Sequence, residues 1–408
     1  MNRIILVGNG FDLAHNLPTK YEDFINWYSR ERLKGFENNK TLISEDPLCK
    51  LEMKNVDGVV KDRNSDVIPH MEYNRYNLLY SGNSLHEFFT FNPEGEFKGI
   101  LDMISKLKGK FNVDSSPLFE NITKSIETKG WVDIENEYYN LLRSFLSEKK
   151  YDNPKQLNDE LDFIRTKLIE YFKLVQDKYI NEGIINEKIR EKIAEPFNKE
   201  DLSNEATEYF KKVTKFEGDD FLKKNVDYEF KITEHPQPEN TLILDFNYTK
   251  TADLYLSNKK KIEIKHIHGD LEHPESVIFG YGDELDRDYK DLARLNDNEY
   301  LRNIKSIKYL ESKNYHEVLS FIGWDKFQIY IMGHSCGNSD RTLMNTLFEH
   351  ENCASIKPFY YQSKDNYLDI VQNISRNFTD MKLMRDRVVN KEFCEPLPQN
   401  VTKEKQEL

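Results

Sequence analysis

The sequence predicts an α/β protein: a Rossmann-like parallel sheet that is discontinuous along the chain and carries a large, mainly helical insertion. Short apolar runs, typical of strands buried on both faces, occur near the N-terminus and again only after residue 240. The chain between them is rich in charge and helically periodic. Only 17 Gly and 13 Pro occur among 408 residues, which favours long helices and argues against an all-β sandwich.

The predicted strands begin with Ile4–Val7, a run that ends at Gly8. Later runs of the same kind are Thr241–Phe246, Ile262–Ile267, Val277–Phe279, Gln328–Met332 and Ile356–Tyr361. Short helical or turn-like segments separate several of these runs. Strands that alternate with helices indicate an α/β sheet.

The positions of these runs predict the domain organisation. Residues 1–30 and 238–390 are expected to form the Rossmann-like domain, 31–237 the helical insertion and 391–408 a C-terminal tail. Within the insertion, one apolar stripe recurs at steps of three and four, as in a long helix. Its members are Leu161, Ile164, Leu168, Tyr171, Phe172, Val175 and Tyr179. Residues 35 to 80 show no clear period, and we expect loops there.

Charge and composition narrow the classes of partner. The chain has 58 Lys and Arg against 71 Asp and Glu, a net charge of −13, so a broad nucleic-acid surface is not expected. The N-terminal apolar run is too short for a signal peptide, and no stretch approaches the roughly 18 apolar residues of a membrane-spanning helix. The four cysteines form neither a C-x-x-C pair nor a zinc spacing. We therefore expect a cytoplasmic protein with no membrane segment.

A glycine-containing motif follows the first predicted strand. Gly8-Asn9-Gly10-Phe11-Asp12 would let the backbone turn tightly and approach a phosphate at the start of the next helix. Leu13 stands where a full dinucleotide-binding motif has its third glycine. The motif is compatible with a nucleotide pocket and equally with a plain strand-to-helix turn.

Two further strand ends carry polar side chains. Asn247 follows the second predicted strand, where ligands bind in open α/β sheets, although it could instead cap a helix. His266 and His268 would share a face if the strand continued through both. A metal pair would need a third ligand, and none stands at a convincing spacing. We therefore predict one functional histidine, His268, because it is nearer the strand end and Gly269 beside it leaves room for a substrate.

A third motif offers a different chemistry. Gly333-His334-Ser335-Cys336-Gly337 matches the G-x-S-x-G nucleophile elbow and lies between a predicted strand and a predicted helix. A serine hydrolase of that type needs an acid and a histidine further along the chain. The only later histidine is His350, which lies in or just after the next helix. The hydrolase hypothesis therefore lacks a well-spaced base.

The string IILVGNGFDLAHNLPTKYEDF closely resembles the opening of the bacterial abortive-infection AbiH family. The segments WVDIE, FNYT, HIHGD and IYIMGHS resemble later signatures of that family, in the same order. The same pieces are more distantly similar to sirtuin-like domains. The matching positions are Gly8–Gly10, Leu17-Pro18, Asn247, His268-Gly269 and Gly333-x-Ser335. The chain departs from sirtuins in three ways: it has no four-Cys zinc module, Thr249 replaces the usual Asp, and Asn16 replaces the usual Gly.

The resemblance implies an antiphage effector that binds NAD without a metal and cleaves the nicotinamide–ribose bond as an NAD nucleosidase. Asn247 would orient the water or the ribose hydroxyls, and His268 would act as the base. Gly8 to Asp12 would hold the pyrophosphate, and Ser335 would face the adenosine. The full set of residues expected to bind the nucleotide is Gly8, Asn9, Gly10, Phe11, Asp12, Pro18, Thr19, Gly333 and Ser335. A non-catalytic nucleotide sensor or a partner-binding subunit remains an alternative. A phage-derived trigger and self-association are left open.

Overall fold

The computed structural model describes residues 1–39, 43–53, 111–130, 132–148, 150–179, 185–203, 237–256, 261–361 and 365–400. Its internal contacts divide the chain into two compact units. The first comprises Met1–Lys20, Leu142–Lys149 and Leu168–Leu408, and the second comprises Tyr21–Leu141 and Lys150–Lys167.

Strands and helices alternate over much of the chain. In chain order the strands are β1 Asn2–Val7, β2 Ile43–Glu45, β3 Cys49–Met53, β4 Phe111–Ser115, β5 Thr241–Asp245, β6 Ile262–His266, β7 Phe327–Met332 and β8 Cys353–Phe359. The α-helices are α1 Asn9–Ala14, α2 Tyr21–Asn39, α3 Pro117–Lys129, α4 Ile134–Ser144, α5 Pro154–Tyr179, α6 Glu187–Ile193, α7 Arg287–Ala293, α8 Lys305–Lys308, α9 Asn314–Trp324, α10 Arg341–Phe348, α11 Tyr367–Arg376 and α12 Met381–Arg387.

The first unit is built on a five-stranded parallel sheet. Its order is β6-β5-β1-β7-β8, so the first strand lies at the centre. Ile4 of β1 pairs with Leu242 of β5 on one side and with Ile329 of β7 on the other. In such an order the chain leaves the central strand in both directions, and ligand crevices open at the carboxyl ends of the strands on either side of that reversal. This sheet confirms the predicted Rossmann-like α/β fold.

Both faces of the parallel sheet are covered at its centre, which explains why β1, β5 and β7 are buried along their whole length and are mainly apolar. The edge strand β6 is only partly buried. Helices α9, α10, α11 and α12 supply buried side chains to a core shared with Leu6, Leu244 and Ile331. The opposite core joins Ile5 and Ile243 to side chains of α1 and α6. Burying each such aliphatic side chain stabilises the fold by roughly 1.5–3 kcal/mol.

One predicted strand of the sheet is absent. Val277–Phe279 is buried but irregular, and the Ile278 N–H donates to the carbonyl of His268 at 2.9 Å. The prediction was wrong because a three-residue apolar run reports burial without distinguishing a strand from a packed loop.

The second unit contains a small sheet within the insertion that was predicted to be mainly helical. Strands β2, β3 and β4 form an antiparallel sheet, with β3 in the middle. Two of these strands fall within residues 35–80, where we expected loops, whereas residues 54–100 lie outside the described residues.

The apolar stripe that begins at Leu161 is confirmed as helical, because all its members lie in α5.

The described C-terminal residues belong to the first unit and are hydrogen-bonded to other segments of it. The Leu397 N–H donates to the Tyr360 carbonyl at 2.9 Å, and the Asn400 N–H donates to the Ala14 carbonyl at 2.7 Å. Residues 401–408 lie outside the described residues. Within the described ranges, no helix has the length and apolar character that crossing a bilayer requires.

Candidate functional site

The carboxyl ends of four neighbouring strands bring most of the predicted site residues to one edge of the sheet. Gly8 follows β1, Asn247 follows β5, His268 follows β6, and Gly333 follows β7. The Asn247 side chain donates from Nδ2 to the Gly8 carbonyl at 3.0 Å. The Gly10 N–H donates to the Gly333 carbonyl at 2.8 Å. The segments after β1, β5 and β7 are therefore bonded directly to one another.

The loops after β1 and β7 approach closely because both contain glycine. Gly333 has a φ of +80°, and a Cβ at this position would lie 2.1 Å from the backbone nitrogen of Phe11. A Cβ on Gly10 would lie 2.8 Å from the Cα of Gly333. The space that a side chain would occupy at these glycines is thus filled by the protein's own backbone.

The rest of the first motif is tied to the chain that follows it. Asn9 is exposed, and its Oδ1 accepts a hydrogen bond from Thr19 Oγ1 at 2.6 Å. The Pro18 carbonyl accepts from the Tyr171 hydroxyl at 2.7 Å. Asn9 and the half-buried Gly10 are the parts of the motif that reach solvent.

Phe11 and Asp12 point into the protein, and each is 1% exposed. Asp12 Oδ2 accepts from Thr249 Oγ1 at 2.7 Å, and Thr249 Oγ1 lies 3.2 Å from Thr251 Oγ1. Burial raises the pKa of Asp12 to about 6, because removal from water penalises the carboxylate. This side chain braces the loop after β5 and does not face solvent.

His268 is almost completely enclosed, with 4% of its surface exposed. The Phe246 ring stands perpendicular to it at 5.2 Å, and the Tyr309 ring is stacked at 6.2 Å. Its Nε2 lies 3.1 Å from Asp340 Oδ1 and 3.3 Å from the Tyr309 hydroxyl. Burial first and the Lys305 charge second lower the pKa of His268 to about 4, so the imidazole is neutral at pH 7.

Asp340 connects the basic groups of this cluster. Its Oδ1 also lies 2.9 Å from Lys305 Nζ, and its Oδ2 lies 3.5 Å from His334 Nε2. Burial opposes its ionisation, but the Lys305 charge, followed by the contacts with His268 and His334, outweighs that effect and holds the pKa of Asp340 well below its usual range. The Cys336 N–H donates to His334 Nδ1 at 3.0 Å, which leaves the His334 proton on Nε2, towards Asp340.

Sequence reasoning missed Lys305 and Asp340 as members of the site. Lys305 begins the short helix α8, within a stretch of ordinary composition. Asp340 ends the 3₁₀ turn Asn338–Asp340, five residues after Ser335. The only sequence signal was the closeness of Asp340 to the Gly333–Ser335 motif.

The prediction that His266 and His268 share a face is wrong. Strand β6 ends at His266, so the two-residue alternation does not continue to His268. His266 contacts Asp253 at 3.0 Å and lies 3.4 Å from Asp245, whereas His268 contacts Asp340 and Tyr309. The described residues contain no group of three or more side chains placed to hold a metal ion.

Gly269 also has a different role from the one predicted. Its φ is +78°, and a Cβ there would lie 2.2 Å from the carbonyl oxygen of Ser276. The glycine therefore admits the chain's own backbone beside His268, so the space expected for a substrate is filled at that point.

Ser335 is exposed, and its carbonyl accepts from Asn373 Nδ2 at 2.8 Å. The only downstream histidine, His350, has its ring 5.9 Å from that of Phe327, at the start of β7. Ser335 follows the other end of that six-residue strand, roughly 20 Å away at about 3.3 Å per residue. His350 therefore cannot act as the base of a Ser335 nucleophile.

Comparison with known proteins gives one match. A family model described as bacteriophage abortive infection AbiH matches residues 4–362, a range that contains every residue of this site. No curated protein and no solved structure gives a significant match.

Proposed function

Because the chain belongs to the bacteriophage abortive infection AbiH family, whose role is abortive-infection defence, we propose that it defends its host by hydrolysing NAD at the nicotinamide–ribose bond. The observation that carries this proposal is the position of His268. A histidine kept neutral by burial lies at the carboxyl edge of a Rossmann-like sheet, one strand away from the Asn247 amide. Ligand crevices of such sheets open at that edge.

Cleavage of the nicotinamide–ribose bond does not need a strong general acid. Nicotinamide leaves as a neutral ring when the C–N bond breaks, since the ring nitrogen takes the bonding electron pair and loses its positive charge. The site must stabilise an oxocarbenium-like ribose and deliver water to the anomeric carbon. One proton is released as ADP-ribose forms, and a neutral imidazole can accept it.

Two side chains divide these tasks. His268 accepts the proton from the water or from a ribose hydroxyl. The Asn247 amide, held through Nδ2 on the Gly8 carbonyl, presents its Oδ1 to orient the attacking water. The exposed Asn9 and Ser335 form the polar rim, where we place the pyrophosphate and adenosine. Because His268 is 4% exposed, substrate entry requires movement of the aromatic side chains that cover it.

The test mixes purified protein with NAD and follows free nicotinamide by chromatography, with and without lysate from phage-infected cells. We expect His268→Ala and Asn247→Ala each to lower nicotinamide release, the former by about 10²–10⁴-fold, as for loss of a general base. His273→Ala is the matched control, because His273 is exposed and its side chain contacts only Asp270 among the described residues. Release that survives both site variants would refute the assignment.

A nucleotide-binding sensor is the second candidate. The observation in its favour is that His268, His334 and Lys305 are buried and each contacts the buried Asp340, as in a structural core. A sensor would bind NAD measurably by calorimetry, release no nicotinamide under either condition, and retain NAD affinity in His268→Ala.

A further inference from the structure

We infer that Asp340, itself anchored by Lys305, is a positioning residue that holds His268 in the tautomer with its proton on Nε2 and leaves Nδ1 to accept the substrate's proton. The role of this tautomer in catalysis rests on the proposed function. The placement of the proton can nevertheless be measured without any turnover.

The first step is the direction of the hydrogen bond at His268. Asp340 is held ionised by its neighbours, and an ionised carboxylate only accepts hydrogen bonds. Since His268 Nε2 lies 3.1 Å from Asp340 Oδ1, Nε2 must carry the proton. Nδ1 then has a free lone pair, and within the described residues no side chain or backbone group donates a hydrogen bond to it.

The second step is the role of Lys305. Its Nζ lies 2.9 Å from the same oxygen, Oδ1, that accepts from His268. An ion pair buried to this degree is costly to break, because one partner is left charged and unpaired. Lys305 therefore keeps Asp340 ionised and fixed in place, and its positive charge discourages protonation of His268.

Other titratable groups also face His268. His334, after β7, points its Nε2 towards Asp340 Oδ2 at 3.5 Å. Tyr309 approaches Nε2 with its hydroxyl at 3.3 Å, and the Tyr248 ring lies 6.4 Å from the imidazole. Tyr309 is the only one of these, apart from Asp340, within hydrogen-bonding distance of Nε2, so it is the competitor that a test must exclude.

During the proposed reaction the proton moves as follows. Water adds its oxygen to the anomeric carbon as the bond from that carbon to the nicotinamide nitrogen breaks, and the ring nitrogen keeps the bonding electron pair. His268 Nδ1 takes one of the water protons, so that ADP-ribose and neutral nicotinamide are released. The resulting imidazolium still donates from Nε2 to Asp340, whose negative charge offsets the new positive charge. The proton then passes to solvent, and the site returns to its starting state.

The experiment records long-range ¹H–¹⁵N correlations of the histidine rings in the full-length protein, and the His268 signal is assigned by its loss in His268→Ala. We expect the wild-type ring to be protonated on Nε2 at pH 7. Tyr309→Phe should leave that tautomer unchanged. The double variant Lys305→Met/Asp340→Ala, which leaves no buried unpaired charge, should populate both tautomers.

A second arm uses Lys305→Met alone. Removal of the ammonium should raise the pKa of His268 from about 4, because the nearby positive charge no longer opposes protonation. If NAD is hydrolysed, the acid limb of the rate profile should move to higher pH in this variant. A purely structural lysine would lower the rate at every pH without moving that limb.

The outcomes separate two kinds of failure. A wild-type His268 with its proton on Nδ1, or a tautomer that changes in Tyr309→Phe and persists in the double variant, would overturn the assignment to Asp340. The expected tautomers without nicotinamide release would leave the positioning role intact and refute the proposed hydrolysis. The remaining histidine signals report whether each variant is folded.

Discussion

Burial decides which individual side chains at this edge carry charge. Asp12 and Asp245 are both inside the protein, and burial raises the pKa of each. The negative charge of Asp12 raises the pKa of Asp245 further, while His266 opposes the shift. A carboxylate that is protonated near neutrality makes the stability of the fold depend on pH.

Replacing Asp12 by Asn should change that dependence. The pKa of folded Asp12 is about 6, above roughly 3.9 in an unfolded chain. The contribution of Asp12 to the stability of the wild type is therefore largest below pH 4 and falls by up to about 3 kcal/mol between pH 4 and pH 6, because the unfolded chain ionises first. Asp12→Asn keeps a hydrogen-bond acceptor for Thr249 but has no carboxyl group that ionises over this range. The stability of the variant relative to wild type should therefore improve with rising pH.

Urea unfolding at several pH values between 4 and 7 measures the difference. The buried amide adds a cost that does not vary with pH, so only the slope is diagnostic. Asp369→Asn, at an exposed position, is the control and should show no comparable slope. A stability difference between Asp12→Asn and wild type that is constant over this range would contradict the prediction.

His266 should stabilise the fold in its charged form. Burial alone would lower its pKa, but the hydrogen bond to Asp253 and the charge of Asp245 together raise it. Its contribution is therefore complete below the unfolded pKa of about 6.5 and fades as pH rises through the folded value. We expect His266→Gln to cost on the order of 1 kcal/mol more at pH 6 than at pH 9, measured by urea unfolding. An equal cost at both values would show that the charge of His266 is unimportant.

At the scale of secondary-structure elements, the site depends on the close approach of the loops after β1 and β7. Gly333 allows it, because its φ is positive and the nitrogen of Phe11 occupies the place of a side chain. Any substitution there must both strain the backbone and separate the two loops.

Gly333→Ala should therefore destabilise the protein by at least about 2 kcal/mol, as measured by its urea midpoint. Gly323→Ala provides the matched control, because Gly323 lies in α9 and a Cβ there meets nothing within 4 Å. That control should be neutral or stabilising by up to about 1 kcal/mol. Equal effects of the two substitutions would mean that the approach of the loops is not tight.

Elements with strong local signals could be predicted from sequence. Four of the five sheet strands were recognisable because they are buried along their whole length and are mainly apolar. The edge strand β6 is only partly buried and has Ile262 and Ile264 as its apolar residues. The common location of Gly8, Asn247 and Gly333 could then be predicted, because the carboxyl ends of parallel strands lie at the same edge of a sheet. Lys305 and Asp340 could not be found this way, because tertiary packing alone brings α8 beside the turn after β7. Whether the side chain of His268 shares a face with that of His266 depended on where β6 ends. The residue pattern does not determine that end.

At the scale of the whole molecule, this member of a family with a role in antiphage defence has a Rossmann-like sheet whose candidate site is assembled from distant parts of the sequence. The N-terminal motif and the strands after residue 240 meet only in the folded protein.

The NAD content of infected cells tests the central proposal most directly, because infection supplies any trigger. Cells carrying the wild-type protein should lose NAD after infection, while cells carrying His268→Ala or Asn247→Ala should keep NAD and lose protection. His273→Ala should behave as wild type. Protection by the wild-type protein with unchanged NAD would contradict NAD hydrolysis as the mechanism of defence.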